Sequence, residues 1–407
     1  MKTVMTLLKK PRVHRYLAGR ATDMLSASLF TLALSWKMLE GGVSGTVVAL
    51  LALVCTVSST LLTPFASTWM DRYSRRQILV QVKLVSTASA VSLILLPESH
   101  TLTIPAMMVV QWVYWVCNDL SWTCGNAFVQ ENYRADEYAP LSSLQEMILQ
   151  GFTLLSGALG LWFLSVWRLD QFAWFAVITG SVSALLYQLT PYRMQPRDLN
   201  QESFAQSLRS TADIFRARRE FFLFVALSCL SYPMLTYLAK LVPVYLSEGS
   251  YGGGWLASWN LGYGLGALLC GAGIAVLLRR FNLKTLMQST LLGLSVLLFV
   301  MGAVLRPETL VVGALLIGLL NPIARIARAN LLHHEVPVAQ RGRIEGGLKI
   351  FSTVLQSISY LLIAGLAAID RIEWGFTLFA GVLMAFYLAM VWVRWRMSSD
   401  STANALL

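Results

Sequence analysis

Two carboxylates sit inside long apolar runs. Asp23 follows Arg20 by three residues, and Asp119 stands beside Asn118 near the middle of another such run. An ionisable side chain in hydrocarbon costs about 2.5–3.5 kcal/mol on insertion scales, so it faces a cavity or a partner. For Asp23 two chemistries follow: a local pair with Arg20 at a helix end, or a carboxylate that takes up and releases a proton between two faces. At helical spacing Gln111, Trp115, Asp119, Trp122, Asn126 and Gln130 form one polar and aromatic stripe. Aromatic walls of this kind suit a planar or amphipathic ligand. The alternative for Asp119 is a bond to a neighbouring helix for packing alone. Glu146, flanked by Gln145 and Gln150, lies nearer the mouth and suits a gate as well as a ligand contact.

The second half of the chain carries the opposite charge. Asn321, Arg325 and Arg328 recur at i, i+4 and i+7, which sets both guanidiniums on one helix face. Lys349 leads into Ser352, Gln356 and Tyr360; Tyr237 with Lys240, and Trp255, Trp259 and Tyr263, form further faces. Arg325 and Arg328 are suited to carboxylates or phosphates, bidentately where geometry allows. Alternatively, ion pairs between acids of the first half and bases of the second close a gate, and Arg328 at a helix end reaches headgroups.

The elements that position these groups must cross a membrane. Of 407 residues, 56% are hydrophobic and 13% charged, with mean hydropathy +0.60. A soluble domain carries about 25% charged residues. About 20 apolar residues span the hydrocarbon, and twelve such stretches occur: 17–38, 44–68, 76–96, 103–130, 140–166, 171–191, 221–246, 252–278, 283–305, 308–332, 343–369 and 373–395. The expectation is an all-α membrane protein of two pseudo-symmetric six-helix bundles, 1–191 and 221–397. A polar cytoplasmic linker, 192–220, joins them, and a disordered tail covers 398–407. With the N-terminus inside, all Lys and Arg except Lys37, Arg168, Lys240, Arg306 and Arg371 fall on the inner side. Both termini are then cytoplasmic, and the net charge of +11 is a topology signal rather than a nucleic-acid surface. Five cysteines, all in apolar runs, make no disulfide framework. His333 and His334 point about 100° apart on a helix, a poor metal clamp, and no metal or cofactor is expected. The N-terminal residues lack a signal-peptide cleavage pattern.

The segment Ser67-Thr-Trp-Met-Asp71-Arg72-Tyr-Ser74-Arg75-Arg76 resembles the G-x-L-x-D-R-x-G-R-R signature of the major facilitator superfamily, with serine at both glycine positions. Serine keeps the small volume but lacks the freedom of glycine at positive φ. Shifted by 208 residues, Arg279-Arg280-Phe-Asn-Leu-Lys284 keeps the basic character without the acid, as a degenerate repeat does. Residues Pro337 to Gly346 are also similar to this superfamily. The pattern Tyr16-Leu-Ala-Gly19, Asp23, Phe30 to Trp36 is nearest to its branch of enterobactin-type siderophore exporters and macrolide efflux proteins. Ser156-Gly157-Ala-Leu-Gly160-Leu161 keeps the small-residue spacing of the antiporter G-P-x-x-G-G signature without its proline.

The resemblance implies a secondary transporter whose halves rock about a site near the bilayer midplane. Ser67, Asp71, Arg72, Arg75, Arg76, Glu146, Arg328 and Lys349 are the expected gate and motif residues, and Asp23 and Asp119 the proton-coupling ones. Trp115, Trp122, Asn126, Tyr237, Trp259, Asn321, Arg325 and Gln356 are expected to bind substrate. The partners are a small molecule, protons and the lipid bilayer, with the chain acting as a monomer in a bacterial inner membrane. Export of a siderophore-like, aromatic or anionic compound is the leading expectation. Efflux of hydrophobic cations, uptake of a metal chelate or nutrient, and a non-transporting receptor are the alternatives. No P-loop or HEXXH zinc motif is present, and the short loops leave no room for a catalytic domain, so an enzyme is not expected.

Overall fold

The computed structural model describes residues 10–96, 101–192, 204–336 and 338–404. Within helices, the side chains of Ser67, Asp71 and Glu146 lie outside the described set. The described residues form fourteen helices in chain order. These are α1 (Pro11–Glu40), α2 (Gly45–Arg72), α3 (Arg75–Leu95), α4 (Thr103–Asn132), α5 (Ala135–Val166), α6 (Leu169–Gln188) and α7 (Phe204–Ala217). They continue with α8 (Arg219–Ser228), α9 (Ser231–Glu248), α10 (Gly253–Arg280), α11 (Leu283–Ala303), α12 (Pro307–Glu335), α13 (Val338–Ala368) and α14 (Trp374–Asn404).

Among the described residues, nine segments are long and apolar enough to cross a membrane, α8 and α9 counting together as one. The expected twelve include α1, α4 and α10 as well, of 30, 30 and 28 residues. Of these, α1 holds Asp23 and α4 holds Asp119, and those charges reduce the apolar character of the two helices.

The helix ends follow local sequence rules. Ser44 caps α2 by accepting from the Val47 N–H at 3.4 Å, Ser74 caps α3 by accepting from Gln77 at 3.4 Å, and Asn282 caps α11 through Lys284 at 2.9 Å. Proline opens α1 and α12, where its missing N–H costs nothing. Ser250 and Asp370 are the non-glycine residues at positive φ among those described.

The seventh expected span is broken. Pro233 is the third residue of α9 and has no N–H for the Cys229 carbonyl, so α8 ends at Ser228 and α9 begins at Ser231. The Tyr232 N–H takes the Cys229 carbonyl instead, at 3.1 Å. The linker also differs from its plain polar reading, because residues 204–217 form a helix. The tail differs too: α14 continues to Asn404, since no glycine or proline follows Gly381.

The chain divides into two compact units, Met1–Gln201 with Ser250–Leu261, and Glu202–Gly249 with Gly262–Leu407. In the first unit, small residues let helices touch. Gly19 lies against the Tyr187 ring, where a Cβ would stand 3.1 Å from ring carbons, and Ser183 Oγ donates to the Gly19 carbonyl at 2.8 Å. Gly157 packs directly on the backbone of Asn260 and Leu261, and Gly160 on Ala257. Aromatic packing of Tyr16 on Phe128 (5.0 Å, stacked) and of Phe128 on Tyr192 (5.2 Å, stacked) closes one end of this core. In the second unit, Gly318 meets the Tyr263 carbonyl and Gly266 that of Leu315, which brings α10 and α12 into backbone contact. Ser295 Oγ donates to the Ala380 carbonyl at 2.8 Å, tying α11 to α14.

Candidate functional site

Asp23 is the centre of a buried polar cluster in the first unit. Its carboxylate is fully enclosed, and Arg20 and Lys83 are each 2% exposed. Lys83 Nζ on α3 forms an ion pair with Asp23 Oδ1. Oδ2 faces Arg20 Nη1 at 3.5 Å and accepts from the Tyr187 hydroxyl of α6 at 3.4 Å. Arg20 Cζ also lies 4.8 Å from the centroid of the Trp122 ring on α4. Tyr16, one turn before Arg20, donates to the Gly125 carbonyl at 3.2 Å and accepts from Gln145 Nε2 at 2.8 Å. Four helices, α1, α3, α4 and α6, thus converge on one carboxylate.

The local pair read from Arg20 and Asp23 is present but long. The shorter partner, Lys83, was not singled out in the sequence, although it stands in an apolar run of α3 just as Asp23 does in α1. The cost of an in-membrane charge, applied to lysines as well as to acids, identifies it. Trp122 joins the expected ligand wall on α4 to this cluster, which spacing along a single helix does not reveal.

Asp119 lies elsewhere on α4, half-buried, and its Oδ2 accepts from Ser59 Oγ of α2 at 2.6 Å. Trp115 is half-buried, Asn126 is exposed, and Gln111 is buried with no partner for Oε1 among the described residues. Trp259 is buried in the part of α10 that belongs to the first unit.

Arg75 and Arg76, at the end of the first-half signature, tie helix ends together. Arg75 Nε lies 3.4 Å from Glu131 Oε2, and its Nη1 reaches the Ala127 carbonyl at the end of α4. Tyr192 donates to the same Glu131 oxygen at 2.7 Å. Arg76 Nη1 reaches the carbonyls of Gln188 and Thr190, each at 3.4 Å, while Arg72 is exposed. Ser74 sits at φ −61°, so this glycine position of the signature requires no positive φ here, and the hydroxyl serves as the α3 cap. Asp71, Ser67 and Glu146 fall on side chains outside the described residues.

A second ionic knot was not anticipated. Glu137 on α5 is 3% exposed and accepts from Lys10 Nζ at 2.6 Å, from Arg12 Nη2 at 2.8 and 3.0 Å, and from the Arg134 N–H at 3.0 Å. Burial alone would push its carboxyl up, but the Lys10, Arg134 and Arg12 contacts outweigh that and hold it at about 2. The spacing Arg134–Glu137 contains the helix-start signal; the pairing with residues 10 and 12 is long-range.

In the second unit, Asn321 is buried, its Nδ2 3.4 Å from the Tyr263 hydroxyl and its Oδ1 without a hydrogen-bond partner among the described residues. Arg325, one turn on, is half-buried. Arg328 donates from Nη1 to the Ser228 carbonyl at 3.1 Å, which places a cation at the C-terminal dipole of α8 where span seven breaks. Gln356 donates to the Tyr360 hydroxyl at 2.9 Å, and Lys349 is exposed. Tyr237 is fully enclosed, stacked on Phe379 at 4.4 Å, with its hydroxyl donated to the Gly375 carbonyl at 2.9 Å, so its polar atom serves the core.

The fold is a bundle of long apolar helices with an enclosed charged cluster in its first unit. The Major Facilitator Superfamily profile matches residues 17–305, and the chain belongs to that family. Solved structures share the fold at low identity. One is the POT family transporter PepTSo (10% identity, TM-score 0.77, 96% of this chain and 99% of that one). Another is a bacterial homologue of the iron transporter ferroportin in an inward-facing state (14%, 0.63, 92% and 98%). A third is the human organic anion transporter MFSD10 (14%, 0.61, 93% and 99%). Comparison with curated proteins finds no match.

Proposed function

We propose that this transporter exports a small anionic or aromatic organic molecule of siderophore-like chemistry, driven by the proton gradient. It works by alternating access through twelve spans, as a monomer of a bacterial inner membrane with both termini cytoplasmic. The 1–191 and 221–397 bundles are its two moving halves. Proton coupling rests on one observation: Asp23 is fully enclosed in a span and held by Lys83, Arg20 and Tyr187. Such a cluster is costly for packing alone and is characteristic of a proton relay in a membrane. The substrate class rests on Arg325 one turn from Asn321, whose buried Oδ1 has no hydrogen-bond partner among the described residues. A ligand hydroxyl or a bound water satisfies such an acceptor, and a guanidinium beside it takes a carboxylate or catecholate.

The test is flux in proteoliposomes under an imposed pH gradient. One panel holds carboxylate and catecholate siderophores and the other lipophilic cations. The expected result is gradient-driven movement of the anionic panel, abolished in Asp23→Asn. Arg325→Ala should weaken apparent affinity at least about tenfold, the value of one lost charged hydrogen bond. Movement of the cations alone, indifferent to Arg325, replaces the reading with a drug pump. Flux independent of the gradient removes proton coupling.

A further inference from the structure

Charge does not balance in the Asp23 cluster. Arg20 and Lys83 bring two cations to one carboxylate, all three enclosed, and among the described residues no second acid reaches them. The other facing groups are Tyr16 and Arg20 of α1, Tyr114, Cys117 and Trp122 of α4, and Tyr187 of α6. With every ion charged the cluster carries +1, and an uncompensated charge in a low-dielectric interior costs several kcal/mol. A guanidinium does not give up its proton in proteins, whereas an ammonium does.

We propose, on the proton-coupled reading above, that Lys83 rather than Asp23 carries the exchangeable proton. Asp23 remains a carboxylate in both states, held by Arg20 and Tyr187 on Oδ2, and acts as a positioning residue for the Lys83 ammonium on Oδ1. In the release step one Nζ–H bond breaks, its electron pair stays on nitrogen, and the proton passes to water on one face. The cluster then holds only Arg20 and Asp23 and is neutral. On the opposite face a hydronium ion returns a proton to Nζ, and the charge is again +1. Nothing is oxidised or reduced.

A merely structural ion pair and a proton carrier respond oppositely to conservative substitution. Lys83→Arg keeps the charge and the pair but cannot cycle a proton, while Lys83→Met leaves the neutral Arg20–Asp23 state. In proteoliposomes loaded with a tris-catecholate siderophore or with ethidium, the expected result has two parts. Lys83→Arg loses gradient-driven flux, and Lys83→Met loses the gradient dependence but keeps downhill exchange. Gradient-driven flux that survives in Lys83→Arg, or is unchanged in Lys83→Met, overturns the proposal and leaves proton coupling standing. Wild type without gradient-driven flux of either probe overturns the coupled reading and this inference together.

A readout independent of substrate is 15N NMR of lysine-labelled protein in phospholipid nanodiscs, with either variant assigning the Lys83 signal. Two protonation states of that nitrogen, seen as the pH is stepped from about 5 to about 9, support the proposal. A single state throughout refutes it, even where a variant fails to fold, because the wild-type signal carries the measurement.

Discussion

Glu137→Gln removes the charge that gathers Lys10, Arg12 and the Arg134 N–H at the start of α5. The magnitude follows from the carboxyl. It is lowered from 4.5 to about 2, burial raising it and the three partners lowering it more. At about 1.4 kcal/mol per unit the gross effect is about 3 kcal/mol. The side chains of Lys10 and Arg12 are 42% and 32% exposed, so solvent screening reduces the net to about 1–2 kcal/mol. For a unit of about 200 residues, at about 2–4 °C per kcal/mol, that corresponds to a fall of about 2–8 °C in apparent melting temperature. The sign is set by the lowered carboxyl. The stabilisation is complete above the unfolded value of about 4.5 and fades as the pH falls toward about 2. The assay is thermal unfolding in detergent at pH 7 and pH 3, with Lys10→Ala/Arg12→Ala as the reciprocal perturbation. Wild type should exceed Glu137→Gln at pH 7, and the gap should shrink by more than half at pH 3. No gap at pH 7, or one that stays constant to pH 3, refutes the reasoning.

Other substitutions separate the roles assigned above. Gly157→Val places a Cβ against the backbone of Asn260 and Leu261, so folded yield measured by size exclusion should collapse, whereas Gly151→Ala, which meets nothing nearby, should be tolerated. Tyr237→Phe leaves the Gly375 carbonyl unpaired and should cost about 1 kcal/mol in unfolding, with transport KM unchanged. Ser74→Ala should cost about 1 kcal/mol of stability through the lost cap, and Ser74→Gly only a few tenths. Arg328→Ala exposes the Ser228 carbonyl at the end of α8 and should raise hydrogen exchange across Leu227–Ser231 selectively; uniform exchange there argues against the capping role.

Hydropathy alone carries the helical architecture, because each crossing must satisfy its backbone internally and therefore writes a long apolar run. What it does not carry are the interruptions and the partners. Pro233 is visible in the sequence, yet the apolar run passes through it, and only the lost bond to Cys229 shows that the span breaks there. Ser74 looked like a loss against a glycine signature and proved to be a cap, since its φ is one any residue adopts. The Asp23 environment was half legible. Arg20 is one turn away and can be read from spacing, but Lys83 and Tyr187 arrive from α3 and α6, 60 and 164 residues distant. The same distance hides the Glu137 knot, whose cations lie 127 and 125 residues upstream.

The half-buried Arg328 and the fully buried Lys83 have different work, and their partners reveal it. Arg328 meets a backbone carbonyl at a helix C-terminus, a partial negative charge that cannot change with pH, so the contact holds a fixed shape at the break in span seven. Arg76 likewise spends its donors on carbonyls at the end of α6, and Arg75 divides its own between the Ala127 carbonyl and the single carboxylate of Glu131. Lys83 instead meets a full carboxylate that already has an arginine beside it. A purely structural bridge between α1 and α3 would need only one cation, and a second one adds desolvation cost without a second acid to offset it. An excess that would be a liability for stability becomes useful where a proton must be held in one state and dispensed with in another. The Glu137 knot also brings two cations to one acid, but Lys10 and Arg12 are 42% and 32% exposed, so it is the enclosure of the excess cation that distinguishes the Asp23 cluster.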